Sequence, residues 1–303
     1  MKEIILITIG FIFLIKGSDF LIDGAENIAK KLKIPEIVIG LTIVAFGTSL
    51  PELVVSISSV KKGYDDLLLG NILGSCIYNL LLILGIIFLI KPIKIEDKSK
   101  GNLILQIVAI LSIAIFCNFE VGISRIEGIL LIQLFIIFLL ASFNKKKKIE
   151  EKSNINIIKS IIYTILGSVL LKLGGDFVVN NSVVLADNFN VSKTIIGSSI
   201  VALGTSLPEL VTSIIATRKN KENIAIGNIL GSNIFNLLLV LGTTSIIEPI
   251  KYNTNNDFNI IFLLIIVLIM YITAILEEQK EKSKKEGIIL LITFIIYNIK
   301  MIG

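Results

Sequence analysis

Apolar residues run through this chain in long blocks. Positions 4–15, 37–46, 80–90, 103–117, 129–142 and 258–276 carry almost no charge. Several blocks approach or exceed the ~20 residues a helix needs to cross a bilayer. Extended to their polar edges, they predict helices over 3–23, 36–60, 67–90, 102–118 and 124–143. A second set is predicted over 157–181, 193–217, 224–247, 257–276 and 286–301. The expected fold class is an all-α integral membrane protein with ten transmembrane helices.

The two sets are copies. Residues 40–57 read GLTIVAFGTSLPELVVSI and residues 197–214 read GSSIVALGTSLPELVTSI, with fourteen of eighteen positions identical. Residues 70–85 (GNILGSCIYNLLLILG) and 227–242 (GNILGSNIFNLLLVLG) agree at thirteen of sixteen. Both pairs are offset by 157 residues without a gap, as are Asp19 and Asp176, and Pro92 and Pro249. The chain therefore divides into a first repeat, 1–143, a polar cytoplasmic linker, 144–156, and a second repeat, 157–303. Five crossings per unit, an odd number, make the second copy enter from the opposite side. The expected architecture is two inverted five-helix repeats, a layout common among secondary transporters.

Charge gives the orientation. Loops after odd-numbered helices hold twenty Lys and Arg, including Lys145–Lys148; the opposite side holds seven. The positive-inside rule puts the first set in the cytoplasm and both termini outside. Lys16 and Lys172 fall within helices and are expected to snorkel to a helix end. The first apolar run has no clear cleavage site after it and reads as a retained helix.

Composition agrees. Only 17% of the 303 residues are charged, against about 25% in a soluble domain, and mean hydropathy is +0.88. The net charge of +5 is spread between apolar segments, so no nucleic-acid partner is expected. There is no histidine, which excludes a histidine relay or metal site. Cys76 and Cys117 show neither metal spacing nor a disulfide framework.

The chemistry sits in the repeated motifs. GTSLPE occurs at 47–52 and 204–209, near the middle of helices 2 and 7. Pro51 and Pro208 have no N–H for the carbonyls of Gly47 and Gly204, so each helix should be interrupted there. Freed carbonyls cannot face lipid, and they suit a hard cation. Glu52 and Glu209 follow the prolines, and a carboxylate at membrane depth is costly. Two that face each other would repel unless one took a proton or a cation sat between them. Ca²⁺, which accepts six to eight oxygens, fits better than Mg²⁺.

Polar residues recur every fourth position beside them. Asn71, Ser75 and Asn79 share one helix face, as do Thr48, Glu52 and Ser56, and the 157-residue offset repeats both stripes. Gly70 and Gly74, like Gly227 and Gly231, allow close helix packing. Asp19 and Asp176 lie near helix ends, where facing headgroups and lining an access path are both open readings.

At these motifs the whole chain resembles the cation/Ca²⁺ exchanger superfamily, and most closely its prokaryotic Na⁺/Ca²⁺ exchangers. The resemblance implies an antiporter and no enzyme, with no cofactor and with Ca²⁺ and Na⁺ as cargo. It implies Ca²⁺ held by Glu52, Glu209 and the carbonyls of Thr48 and Thr205. It implies Na⁺ sites using Ala45, Ser49, Ser75 and Glu52 on one side and Ala202, Ser206, Ser232 and Glu209 on the other. Asn79 and Asn236 match the two remaining central positions. Some relatives, the K⁺-dependent ones included, have aspartate where this chain has Asn236, so asparagine here argues against K⁺ co-transport.

The expected activity is exchange of several Na⁺ for one Ca²⁺ across the cell membrane by alternating access, with helices 1 and 6 sliding as a gate. A single copy in the bilayer should suffice. An H⁺/Ca²⁺ exchanger using the same glutamates, or a cation channel, are the alternatives.

Overall fold

The computed structural model describes residues 2–94, 97–119, 122–143, 156–188, 202–276 and 281–302. The predicted linker as far as residue 155, including Lys145–Lys148, and the first part of the predicted helix 193–217 lie outside the described residues.

Apolar blocks become helices. We number them α1 (Lys2–Leu32), α2 (Glu36–Thr48), α3 (Leu50–Lys61), α4 (Asp65–Ile90), α5 (Asp97–Phe119) and α6 (Arg125–Phe143). In the second half come α7 (Ile157–Asn188), α8 (Ala202–Thr205), α9 (Leu207–Arg218), α10 (Glu222–Ile247), α11 (Asp257–Leu276) and α12 (Lys284–Ile302). Among the described residues, seven helices are long and apolar enough to cross a membrane, and the bent pair α2–α3 makes an eighth. Two-residue antiparallel ladders, Ile93–Lys94 with Glu281–Lys282 and Gly122–Ile123 with Ile250–Lys251, are the only strands among them.

Two expectations need correction. α1 and α7 run well past their predicted ends at 23 and 181, to Leu32 and Asn188. The reason is amphipathicity: Ala25, Ile28 and Ala29 are buried, so the polar stretch of α1 still has an apolar stripe to pack. Lys30 and Lys31 thus belong to the last turn of α1 and not to a loop. α1 stops where Lys33 turns left-handed (φ 56°) and the Ile34 N–H closes on the Ala29 carbonyl at 3.0 Å. α3 and α9 stop the same way, at Gly63 (φ 70°) and Asn220 (φ 58°), which are 157 residues apart.

α4 and α10 are apolar apart from their polar stripes and almost wholly enclosed, as interior helices should be. π-turns interrupt both, at Asn79–Ile83 and Phe235–Val240, and a third lies in α2 at Gly40–Val44. These were not visible in the sequence pattern. α6, α7, α11 and α12 carry exposed rows of Ile and Leu, the surface a lipid-facing helix presents.

α1 and α7 lie against each other and run antiparallel. A Cβ on Gly10 would stand 2.9 Å from the Gly174 carbonyl oxygen, and one on Gly17 2.9 Å from that of Gly167. Gly10 and Gly17 are the repeat mates of Gly167 and Gly174, so the contact is reciprocal. α2 and α10 are equally close: a Cβ on Gly227 or Gly231 would lie 2.6 Å from the carbonyl oxygen of Ile37 or Leu41. The positions matching these opposite Gly70 and Gly74, at 194 and 198, lie outside the described residues.

Polar groups gather at two ends of the bundle. At one end, beside the ladder that pairs Ile93 with Lys282, Lys91 pairs with Glu222 and donates to Asn220 Oδ1 at 2.8 Å. At that end Lys219 also pairs with Asp19 (3.0 Å) and Asp23 (2.8 Å), and Lys221 with Glu26 (2.6 Å) and Glu36 (3.4 Å). At the other end the Lys251 N–H donates to Asp65 Oδ2 at 3.2 Å, beside the Gly122 ladder.

Candidate cation site

The helix break falls on one residue in each half. Ser49 (φ −88°, ψ 5°) separates α2 from α3, and Ser206 (φ −90°, ψ 4°) separates α8 from α9. Both occupy the sparsely populated bridge region where many active-site residues sit. In α3 and α9 the proline is the second residue, inside the first turn, where a missing N–H costs nothing. α2 and α3 meet at a 48° bend. The interrupted helix expected from GTSLPE is therefore present in the first half. In the second half the break is present, while the segment before Ala202 lies outside the described residues.

The break carries Glu52 and Glu209 into the interior, each 1% exposed. Around them the motif residues interlock across the halves. Thr48 Oγ1 donates to Asn228 Oδ1 at 3.1 Å, and its mate Thr205 donates to Asn71 Oδ1 at 3.3 Å. Thr48 lies 3.3 Å from the Ser232 hydroxyl, and Thr205 lies 3.5 Å from that of Ser75. These two sets of contacts are repeat mates of one another. Ser49, Ser75, Asn79, Ser206, Ser232, Asn236 and Ala45 are all buried alongside. Ala202 begins α8, and its side chain lies outside the described residues.

The mates then part company. Ser49 donates to Glu209 Oε1 at 3.0 Å, and Ser232 does so at 3.4 Å. Asn228 Nδ2 donates to Ser213 Oγ at 3.1 Å. On the other side Glu52 Oε1 and Oε2, Ser56 Oγ, Ser206 Oγ and Asn71 Nδ2 are buried without a hydrogen-bond partner. Glu209 Oε2, Asn79 Oδ1 and both amide atoms of Asn236 share that condition. Every such atom among the described residues belongs to the repeated motifs. Buried polar groups are nearly always paired, because leaving one unpaired costs about 1–3 kcal/mol. Seven of these nine atoms are oxygens, the donor type a hard cation takes. Two carboxylates supply the formal charge; no group of three or more His, Cys, Asp or Glu suited to a metal occurs among the described residues.

Two buried residues escaped the sequence reading. Asn233 and Gln106 lie 0% exposed behind Asn79, and Asn79 Nδ2 donates to Asn233 Oδ1 at 2.9 Å. For Asn233 a signal was present in the repeat: of three differences between the 70–85 and 227–242 copies, Cys76/Asn233 is the one that adds an amide. Lys172 is also more than a snorkelling cation, since it pairs with Asp176 at 2.6 Å. Asp19 and Asp176, mates in sequence, thus take different partners.

An apolar helical bundle that encloses two carboxylates and a cluster of unpaired oxygens at its broken helices is built as a membrane ion carrier. The family described as "Sodium/calcium exchanger protein" matches residues 2–144 and again 159–303. "Sodium/calcium exchanger MaX1" of Methanosarcina acetivorans is 31% identical over 294 residues, covering 82% of this chain and 83% of its own. "Putative antiporter CaxA" of Alkalimonas amylolytica is 35% identical, with 81% of each chain covered. A solved structure of the sodium-calcium exchanger NCX_Mj, soaked with Na⁺ and Sr²⁺, superposes with a TM-score of 0.85 at 30% identity over 97% of both chains. The chain belongs to the sodium/calcium exchanger family, and so is a transporter and not an enzyme. What it handles is cargo, and the family uses no cofactor.

Proposed function

We propose that the protein is an antiporter that exchanges several Na⁺ for one Ca²⁺, with both ions competing for Glu52 and Glu209. The observation that carries this is the cluster of buried, unpartnered oxygens centred on those two side chains. A divalent ion balances two carboxylates, and a set of Na⁺ ions can balance them in turn. Glu52, Glu209, Thr48 and Thr205 would hold Ca²⁺. Ser49, Ser75, Ala45, Ser206, Ser232 and Ala202 would complete the Na⁺ positions, with Asn79 and Asn236 between them.

Alternating access follows if the halves are inverted copies in a ten-helix bundle. Three observations support that architecture. The α1–α7 contact is antiparallel and reciprocal. The Thr48–Asn228 and Thr205–Asn71 bonds are repeat mates. Loops that the topology assigns to one side also touch one another, as in both ladders. α1 and α7, which lack the motifs, form one glycine-faced pair able to slide as a unit. The charge bias of the loops supports termini outside the cell, and a single copy contains the whole site.

The test is ⁴⁵Ca²⁺ uptake by proteoliposomes under Na⁺, K⁺ and H⁺ gradients imposed one at a time. Uptake should follow the outward Na⁺ gradient and vanish in Glu52→Gln and Glu209→Gln. Uptake driven by a proton gradient at zero Na⁺ would replace Na⁺ by H⁺ as the coupling ion. Normal flux in either variant would sink the site.

A further inference from the structure

Resting on that reading, we propose that Asn233 and Gln106 are positioning residues that lock the Asn79 carbonyl oxygen toward the cations, while its mate Asn236 is left free to turn. The site would then have one committed and one uncommitted amide ligand.

The orientation can be followed from groups that cannot be reversed. A backbone carbonyl only accepts. The Leu230 carbonyl accepts from Gln106 Nε2 at 3.4 Å, so Gln106 must turn its oxygen the other way. That oxygen accepts from Asn233 Nδ2 at 3.3 Å, and the Cys76 carbonyl accepts from the same nitrogen at 3.3 Å. With its NH₂ committed to two acceptors, Asn233 presents Oδ1 to Asn79. Asn79 answers with Nδ2 at 2.9 Å, which leaves Asn79 Oδ1 buried, unpartnered and facing away from the relay. Reversing any one amide would set oxygen against oxygen and nitrogen against nitrogen. All three side chains are at most 1% exposed, so bulk solvent does not compete for these bonds.

The second half has no such relay. The position matching Asn233 is Cys76, and the one matching Gln106 is Leu263. Neither side chain carries an amide. Both Asn236 amide atoms are accordingly without a partner. Asn236 can offer its oxygen to a cation or its NH₂ to an oxygen, whereas Asn79 can offer only oxygen. Groups that orient a metal ligand from behind are typically worth about 10–100-fold in affinity.

The repeat itself supplies gentle substitutions. Cysteine and leucine already pack at the matching places, so Asn233→Cys and Gln106→Leu remove the relay with side chains this fold accommodates. Each should raise the half-saturating concentration of Ca²⁺ or Na⁺ by about tenfold, the low end of that range, in Na⁺-driven ⁴⁵Ca²⁺ exchange by the full-length chain. The loss should disappear in an Asn79→Ser background, where no amide remains to be oriented. Two outcomes overturn the inference: unchanged half-saturation for both cations, or an equal loss with and without Asn79→Ser, which marks a packing defect. Should Asn233→Cys not fold, Gln106→Leu alone decides by the same two criteria. A wild type without Na⁺-driven flux is a separate result. It would remove the antiporter reading, and this inference with it.

Discussion

Ser49 donates to Glu209 Oε1 across the bundle at 3.0 Å, while Ser206, its repeat mate, leaves Glu52 without a partner. The two serines share backbone geometry and burial, so the difference lies in what each hydroxyl meets. A hydrogen bond to a charged group contributes about 1.5–3 kcal/mol. Ser49→Ala should therefore lower thermal stability in cation-free detergent by that order, and Ser206→Ala should change it by less than about 0.5 kcal/mol. Equal effects in differential scanning fluorimetry would show that the two sides are equivalent.

Glu52 gives a sharper contrast between stability and function. Both its carboxylate oxygens are buried and unpaired. An uncompensated buried charge costs more than a neutral amide of the same shape. Glu52→Gln should abolish exchange yet leave the cation-free protein at least as stable as wild type. Adding Ca²⁺ should then raise the melting temperature of wild type but not of the variant. A variant that melts well below wild type without cations would contradict this account.

Some of this was readable from residue order and some was not. Glu52, Glu209 and their polar stripes stood out because the motif is written twice and a carboxylate in an apolar block has no cheap explanation. A break within 47–52 was expected from Gly47 and Pro51 together, and it falls at Ser49. Asn233 and Gln106 were missed because a lone amide in an apolar helix has no periodicity; the Cys76/Asn233 difference marks the first, and only its partner identifies the second. The π-turns in α4 and α10 were missed for a related reason, since Leu, Ile and Asn suit α and π geometry alike. The extra turns of α1 depended on Ala25 and Ala29 finding a surface to pack on. The Lys219 and Lys221 pairs join residues nearly 200 positions apart, and no local pattern announces them.

The α1–α7 seam should tolerate almost nothing. A Cβ on Gly167 would lie 2.5 Å from the backbone nitrogen of Leu21, and one on Gly17 2.9 Å from that of Leu171. Backbone cannot yield as a flexible side chain does, so even Gly167→Ala must separate the helices. It should cost about 1–3 kcal/mol, as overpacking does, and slow exchange. A larger residue at Gly167 should abolish both the fold of the pair and flux. Size-exclusion profiles together with initial uptake rates would check this. An alanine variant with wild-type rates would show that the seam does not limit transport.

The ion pairs at the end of α1 predict a pH and salt signature that the buried site does not share. Burial works against the charges of Lys219 and Lys221. The carboxylates of Asp23 and Asp19 beside the first, and of Glu26 and Glu36 beside the second, outweigh it and hold both lysines above their ordinary range. A group with a raised folded-state value gives its full stabilisation below the unfolded value, about 10.4 for lysine. That stabilisation is lost only as pH climbs through the folded value. From pH 6 to 9 the α1 clamp should therefore stay constant, and any change of transport in that window must arise elsewhere. Both lysines are a quarter to a third exposed, so each pair is worth about 0.2–1 kcal/mol. Lys219→Ala and Lys221→Ala should lower stability by that order at low salt. The loss should shrink at 1 M NaCl, where screening reaches ~3 Å. Amide hydrogen exchange should quicken in the last turns of α1, around Glu26–Leu32, and not near Glu209. Unchanged exchange there in the double variant would mean that apolar packing alone holds this end of α1.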